Sequence, residues 1–243
     1  MGGNDETARA ALAQARQKDP LAGIALGADN LIYRLSGALR DERGLNADLF
    51  LATLGTLAGY TCQDSLREVG ASEGITDERA IFVVLETDDG HHFYFGDNLN
   101  ELLFNGPVAL WRFAAGRAVE LEVPLDRLPD PNELAARVAG QVGSEAFGVI
   151  DYPPGRDLGF PPPQEILSAL WDSCKHNLEF FCRGPLEWPT LMGNTVRRAM
   201  DMTKEVAPPE ISASLIMQAA TAMAKVDLAE VRRDFPPVHW PAA

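Results

Sequence analysis

With 243 residues, 46% of them hydrophobic and 23% charged, the chain has an ordinary globular make-up, and this length buries roughly 70–75% of the unfolded surface without help from a metal or disulfide. Its 35 Asp and Glu outnumber its 21 Lys and Arg, for a formal net charge of −14. So acidic a surface repels phosphate backbones and anionic headgroups, which argues against nucleic acid and membrane as partners.

The opening stretch MGGNDETARAALAQARQKDP has neither the basic segment nor the apolar core of a secretory signal. Glu6 stands where a myristoylation site requires Ser or Thr. The longest apolar run, LFLATLGTLAGYTC, is shorter than the about 20 residues of a membrane span. With three cysteines and no CxxC pair, these features give a cytoplasmic expectation.

The first helix signal is DNLIYRLSGALRDERG, with Leu31, Leu35, Ala38 and Leu39 on one stripe, Asp29 as N-cap and Gly44 as stop. A second helix follows from Asn46 as cap to Gly70 as terminator. It is apolar around much of its circumference, which predicts a central, buried position. Gly55 and Gly59, four apart, prepare it for close approach of another backbone. Residues 80–96 then break the helical period: AIFVVLET, DDG and HHFYFG form a strand, a turn and a strand.

Helical patterns resume in GDNLNELLF, capped by Asp97, and in PVALWRFAAGRAVEL, starting at Pro107. The end of that segment, VELEVPL, reads equally as a third strand. DPNELAARVAGQVGS is a short helix capped by Asp130. DYPPGRDLGFPPP, residues 151–163, cannot be regular helix and is either a functional loop or a subdomain boundary. Downstream come QEILSALWDSCKHNLEFFC and two further helices, WPTLMGNTVRRAMDMTKEV and PPEISASLIMQAATAMAKVDLAEV, both with core-type stripes, while Trp188 staples the start of the first.

The stretch ETDDGHHFYFGDN concentrates the titratable side chains. A three-residue loop, Asp88–Asp89–Gly90, pairs Leu85 with Phe93 and Val83 with Phe95. That register gathers apolar residues on one face and gives Gly90 the left-handed turn position. His92 then lies opposite Glu86 and His91 opposite Thr87. Neighbouring strand residues point to opposite faces, so the two histidines do not readily grip one metal. Glu86 and His92 are the candidate acid–base pair, and Glu86, His92 and Asp97 the candidate metal ligands.

Other candidates have bland readings. Cys62 lies inside a helix without an adjacent cation. Cys174 and Cys182, with His176 between them, lie about 12 Å apart if the segment is helical, too far for a disulfide. His239 falls in a proline-rich tail that packs through Trp240 or frays. No GxGxxG, P-loop or GxSxG is present.

The expectation is therefore a mainly α fold (α+β at most), a multi-helix globular protein with one small antiparallel β-hairpin near residues 80–96. It is a single globular domain over 1–243, with 151–163 as the place for any subdomain boundary. A binding or assembly role is favoured over catalysis, with a homo-oligomer or protein partner formed through the Met-rich C-terminal helices or the glycine-bearing central helix, and no cofactor. The alternatives are a metal-dependent enzyme or hydrolase centred near the hairpin, and an apolar small-ligand binder with the proline-rich loop as its lid.

Overall fold

The structure, a computed structural model, describes residues 2–156 and 159–237. His239 and Trp240 lie outside the described residues. The fold is mainly α, with two small antiparallel sheets of two strands each. No helix is long and apolar enough to cross a membrane among the described residues.

Its axis is the long helix α3 (Ala47–Ser72), which follows α1 (Gly2–Lys18), α2 (Ala22–Ala38) and the strand pair β1 (Arg40–Asp41) and β2 (Gly44–Leu45). Asn46 caps α3 as predicted: its Oδ1 accepts from the N–H groups of Asp48 and Leu49 at 3.0 and 3.1 Å. From Phe50 to Ser65 every residue is buried, because α7 (Pro163–Phe181), α8 (Trp188–Thr203) and α9 (Pro209–Met223) pack against this segment. Thr61 pairs its hydroxyl with the Leu57 carbonyl at 2.7 Å, so a polar residue sits in the core without an unmet donor. Gly55 and Gly59 meet α9 so closely that a Cβ at either would overlap the main chain of Ile216 or Ala220. The glycine pair thus serves packing within the chain. The methionines Met192, Met200, Met217 and Met223 are equally buried, whereas Met202 of α8 is exposed.

Several expected boundaries move. Helix α2 begins seven residues before Asp29, which sits mid-helix and pairs with Arg198 of α8. Gly70 lies within α3, and the chain turns at Gly74, where φ is +80°. Asp97 is the first residue of α4 (Asp97–Asn100), with Gly96 in the cap position and no side-chain capping bond. A π turn over Glu101–Asn105 follows α4. Helix α5 (Leu110–Glu120) starts after Pro107, which lies in the preceding turn. The segment after it is not a strand: Glu122 takes φ +68° and a short 3-10 turn spans Leu125–Arg127. Asp130 caps α6 (Pro131–Gln141) as predicted, accepting from Asn132 N–H at 2.7 Å.

The last long segment is two helices, α9 and α10 (Leu228–Asp234), with a break at Ala224–Asp227. Asp227 caps α10 by accepting from Ala229 and Glu230 N–H. The break has a physical use: it extends Val226 beside the hairpin as a bridge to Phe93. One hydrophobic cluster runs from Ile24 to Val231 and draws on both sides of residues 151–163. That loop is tied to the core by Arg156, whose guanidinium grips the buried Asp48 carboxylate at 2.6 and 2.7 Å and donates to Val206 O.

Candidate functional site

The hairpin has the expected register. Strand β3 (Val83–Glu86) pairs antiparallel with β4 (His92–Phe95), matching Val83 with Phe95, Leu85 with Phe93 and Glu86 with His92. Gly90 takes φ +82° at the tip, where Thr87 and His91 close the loop. The face assignment is less simple than alternation suggests. Phe93 and Tyr94, neighbours in sequence, are both buried, because β4 is covered on both faces while Val83 and Leu85 remain exposed.

Phe82, Arg67 and Phe147 pack on the rings of β4, and α10 meets the strand in a contact that is acidic on one side and aromatic or imidazole on the other. Asp227, Glu230 and Asp234, spaced three and four apart, share one helix face. Asp227 accepts from the Tyr94 hydroxyl at 3.1 Å. The carboxylate of Glu230 accepts from both His92 Nδ1 and His92 main-chain N–H, each at 2.8 Å. Asp234 meets His91 Nε2 at 2.7 Å, and Asp89 meets the other ring nitrogen at 3.1 Å.

These contacts set the titration. The Glu230 bond raises the His92 imidazole above its ordinary value, and the Asp234 bond does the same for His91. His91 in turn holds the Asp234 carboxyl below its ordinary value. Each bond thus shifts its ring toward the imidazolium form, and a protonated ring nitrogen does not ligate a metal. Glu86 lies 3.8 Å from His92 Nε2, the farther of its two carboxylate neighbours, and Asp97 makes none of these contacts. Among the described residues no group of three or more His, Cys, Asp and Glu is arranged to hold a metal ion.

Two cavities open beside this cluster. One, of about 120 Å³, lies under α10 between His91, His92, Phe93, Val226 and Phe235. The other, of about 440 Å³, lies under the proline-rich loop, walled by Ile150, Tyr152, Phe160 and Pro162. Both are lined by Phe147, Gln164 and Phe235, so they meet as one groove. Edge-to-face ring pairs hold its walls, Phe93 with Phe147 at 4.9 Å and Tyr152 with Phe160 at 5.1 Å. Gln164 donates through Nε2 to Phe147 O at 3.2 Å, whereas its buried Oε1 has no partner among the described residues. Glu145, Asp227, Glu230 and Asp234 bring carboxylates to the lining.

Among the described residues no Ser, Thr or Cys lines either cavity. Cys62, Cys174 and Cys182 are free and buried, and burial pushes each thiol up to about 12, far from thiolate formation at neutral pH. His176 is exposed on α7, away from the buried Cys174.

Of the residues singled out in the sequence, the fold brings Glu86 and His92 together and leaves Asp97 apart. Asp227, Glu230, Asp234 and Gln164 were not anticipated. The spacing Asp227-x-x-Glu230 matches a capping box and signals a helix start within what reads as one long helix. Gln164 carries no such signal, since a cavity-lining residue looks like any other from its sequence. No protein-family model, no curated protein and no solved structure matches this chain, so the site is defined by its geometry alone.

Proposed function

We propose that the chain is a binding protein whose ligand site is the groove between the proline-rich loop, the start of α7 and the hairpin–α10 contact. The observation that carries this reading is the cavity of about 440 Å³ walled by Ile150, Tyr152, Phe160 and Pro162, with Gln164 on its lining. The buried Gln164 Oε1, without a partner among the described residues, costs about 1–3 kcal/mol, which a turn of the carboxamide toward a ligand's donor relieves. A ligand that supplies one hydrogen-bond donor on an apolar body meets both needs, and the 440 Å³ cavity falls in the size range of small-molecule sites. Binding is favoured over catalysis because the Glu230 bond favours the protonated His92 ring over the free base, and among the described residues no Ser, Thr or Cys lines the cavity beside it.

Titration calorimetry with a series of straight-chain primary alcohols, hexanol to dodecanol, tests this. Affinity is expected to rise about fourfold per methylene until the groove is full, following about 0.8 kcal/mol per buried CH₂. Gln164→Leu is expected to weaken every member by a similar factor, because the hydroxyl loses its acceptor. Absence of saturable binding across the series, or an unchanged series in Gln164→Leu, overturns the reading.

A further inference from the structure

The hairpin has two edges, and the described residues cover only one. Thr87 N–H donates to His91 O at 2.9 Å. In this antiparallel ladder residues 83, 85 and 87 therefore exchange bonds with 95, 93 and 91, while residues 84, 86, 92 and 94 turn their main-chain groups outward. On the β4 side the outward N–H groups are met: Tyr94 donates to Lys225 O and His92 to Glu230 Oε2, each at 2.8 Å. On the β3 side, the N–H and C=O groups of Val84 and Glu86 have no partner among the described residues.

The side chains around this open edge define what fits it. Val83 is 66% exposed and Leu85 44%, an apolar pair on one face of a four-residue strand. Glu86, Asp88 and Asp89, all exposed, add carboxylates at the same end. An uncovered edge ordinarily pairs with another strand, and charge on the edge selects which one. A second copy is the poorer fit: two-fold pairing about Leu85 would set Glu86 opposite Val84 and leave the carboxylates of both copies without a cation, and two chains of net charge −14 repel each other.

We infer that β3 is a docking edge for a short extended segment of a partner protein in which apolar residues alternate with Lys or Arg. The segment adds as a third strand, bonding to Val84 and Glu86. Its apolar side chains cover Val83 and Leu85, and its cations lie against Glu86 on the opposite face. The net charge of −14 speeds encounter with such a basic segment and makes the contact weaken with salt. This edge is distinct from the groove, and the two can fail separately.

The test uses the full chain, isotopically labelled, with a hexapeptide of alternating valine and lysine as the probe. Amide exchange at Val84 and Glu86 is expected to slow about tenfold or more at saturating peptide, the expected mark of new main-chain bonds. The effect should diminish at high salt, and it should vanish in one of the two peptides N-methylated at alternate residues, the one whose bonding edge is blocked. Glu86→Lys should reverse the preference, taking an alternating valine–glutamate peptide in place of the lysine one. Unchanged exchange at Val84 and Glu86 under saturating peptide overturns the inference, as does equal binding of both N-methylated forms. Protection at these amides that grows with protein concentration without peptide makes a second copy the occupant and also overturns it.

Discussion

His92 Nδ1 and Glu230 Oε1 stand 2.8 Å apart across 138 residues of chain, and the same carboxylate takes the His92 main-chain N–H. One side chain of α10 therefore satisfies two groups of β4. His91 with Asp234 and Tyr94 with Asp227 extend the contact, so the hairpin's histidines act as the ties of a terminal helix.

Removing the tie should loosen that helix and return the ring to its ordinary titration. Glu230→Gln is expected to lower the His92 pKa toward 6.5, since its largest raising cause is the Glu230 bond. The sign for stability follows. A raised imidazole contributes fully below about 6.5 and is lost as pH rises through its folded pKa, whereas the lowered Asp234 carboxyl contributes above about 3.8 and is lost as pH falls through its folded pKa. The other charges facing these rings are Asp89 and Arg233 at His91, and Glu86 and Asp227 at His92. Amide exchange in α10 should be slowest between those limits, near pH 5–6, and faster at pH 8. An α10 whose exchange shows no such minimum, after correction for intrinsic rates, contradicts this account.

Arg156 neutralises a carboxylate that is almost wholly buried, Asp48 being 1% exposed. Arg156→Ala leaves that charge with the end of α3 alone and should cost about 3 kcal/mol in urea unfolding. The double variant Asp48→Asn with Arg156→Met should recover much of the loss, because no unpaired charge remains. Equal losses in the single and double variants would show that loop packing, rather than charge, sets the cost.

Glycine to alanine should have opposite signs at two helical positions. A Cβ at Gly59 overlaps the Ala220 main chain, which cannot rotate away, so Gly59→Ala is expected to destabilise by about 2–3 kcal/mol. At Gly116, inside α5, an added Cβ meets nothing within 4 Å, and Gly116→Ala should stabilise by about 0.5–1 kcal/mol. Thermal and urea midpoints of the two variants give the comparison directly.

Lys225 is 3% exposed, with its ammonium 4.9 Å from the centre of the Phe95 ring and no carboxylate partner among the described residues. Burial brings its pKa down to about 8 from 10.5. A lowered ammonium pKa means that the folded chain releases its proton first, so stability should rise with pH between 8 and 10.5. Lys225→Met lacks that rise and should be the more stable protein at pH 7, by up to about 3 kcal/mol. A wild-type stability curve flat across that interval would remove the argument.

Much of the fold was legible because local rules settle local structure. The Asn46 cap, the Asp130 cap, the three-residue hairpin loop and the burial of α3 follow from short-range chemistry and periodicity, and each is present. Boundaries failed where tertiary contacts outweighed a local signal. Asp29 is a good cap residue, yet α2 runs through it while Arg198 takes its charge. The apolar run through Val226 reads as continuous helix, yet pairing with Phe93 extends it.

The candidate site divides along the same line. Strand alternation and turn chemistry act within a dozen residues, and they suffice to set Glu86 opposite His92 and His91 opposite Thr87, as the structure has them. What the histidines pair with and where the cavities lie come from the tertiary packing. The carboxylates that hold them arrive from α10 through a break in the helix, and the groove lies among Phe147, Gln164 and Phe235 from separate elements. Such meetings depend on how helices pack, and no residue's own identity records its distant neighbours.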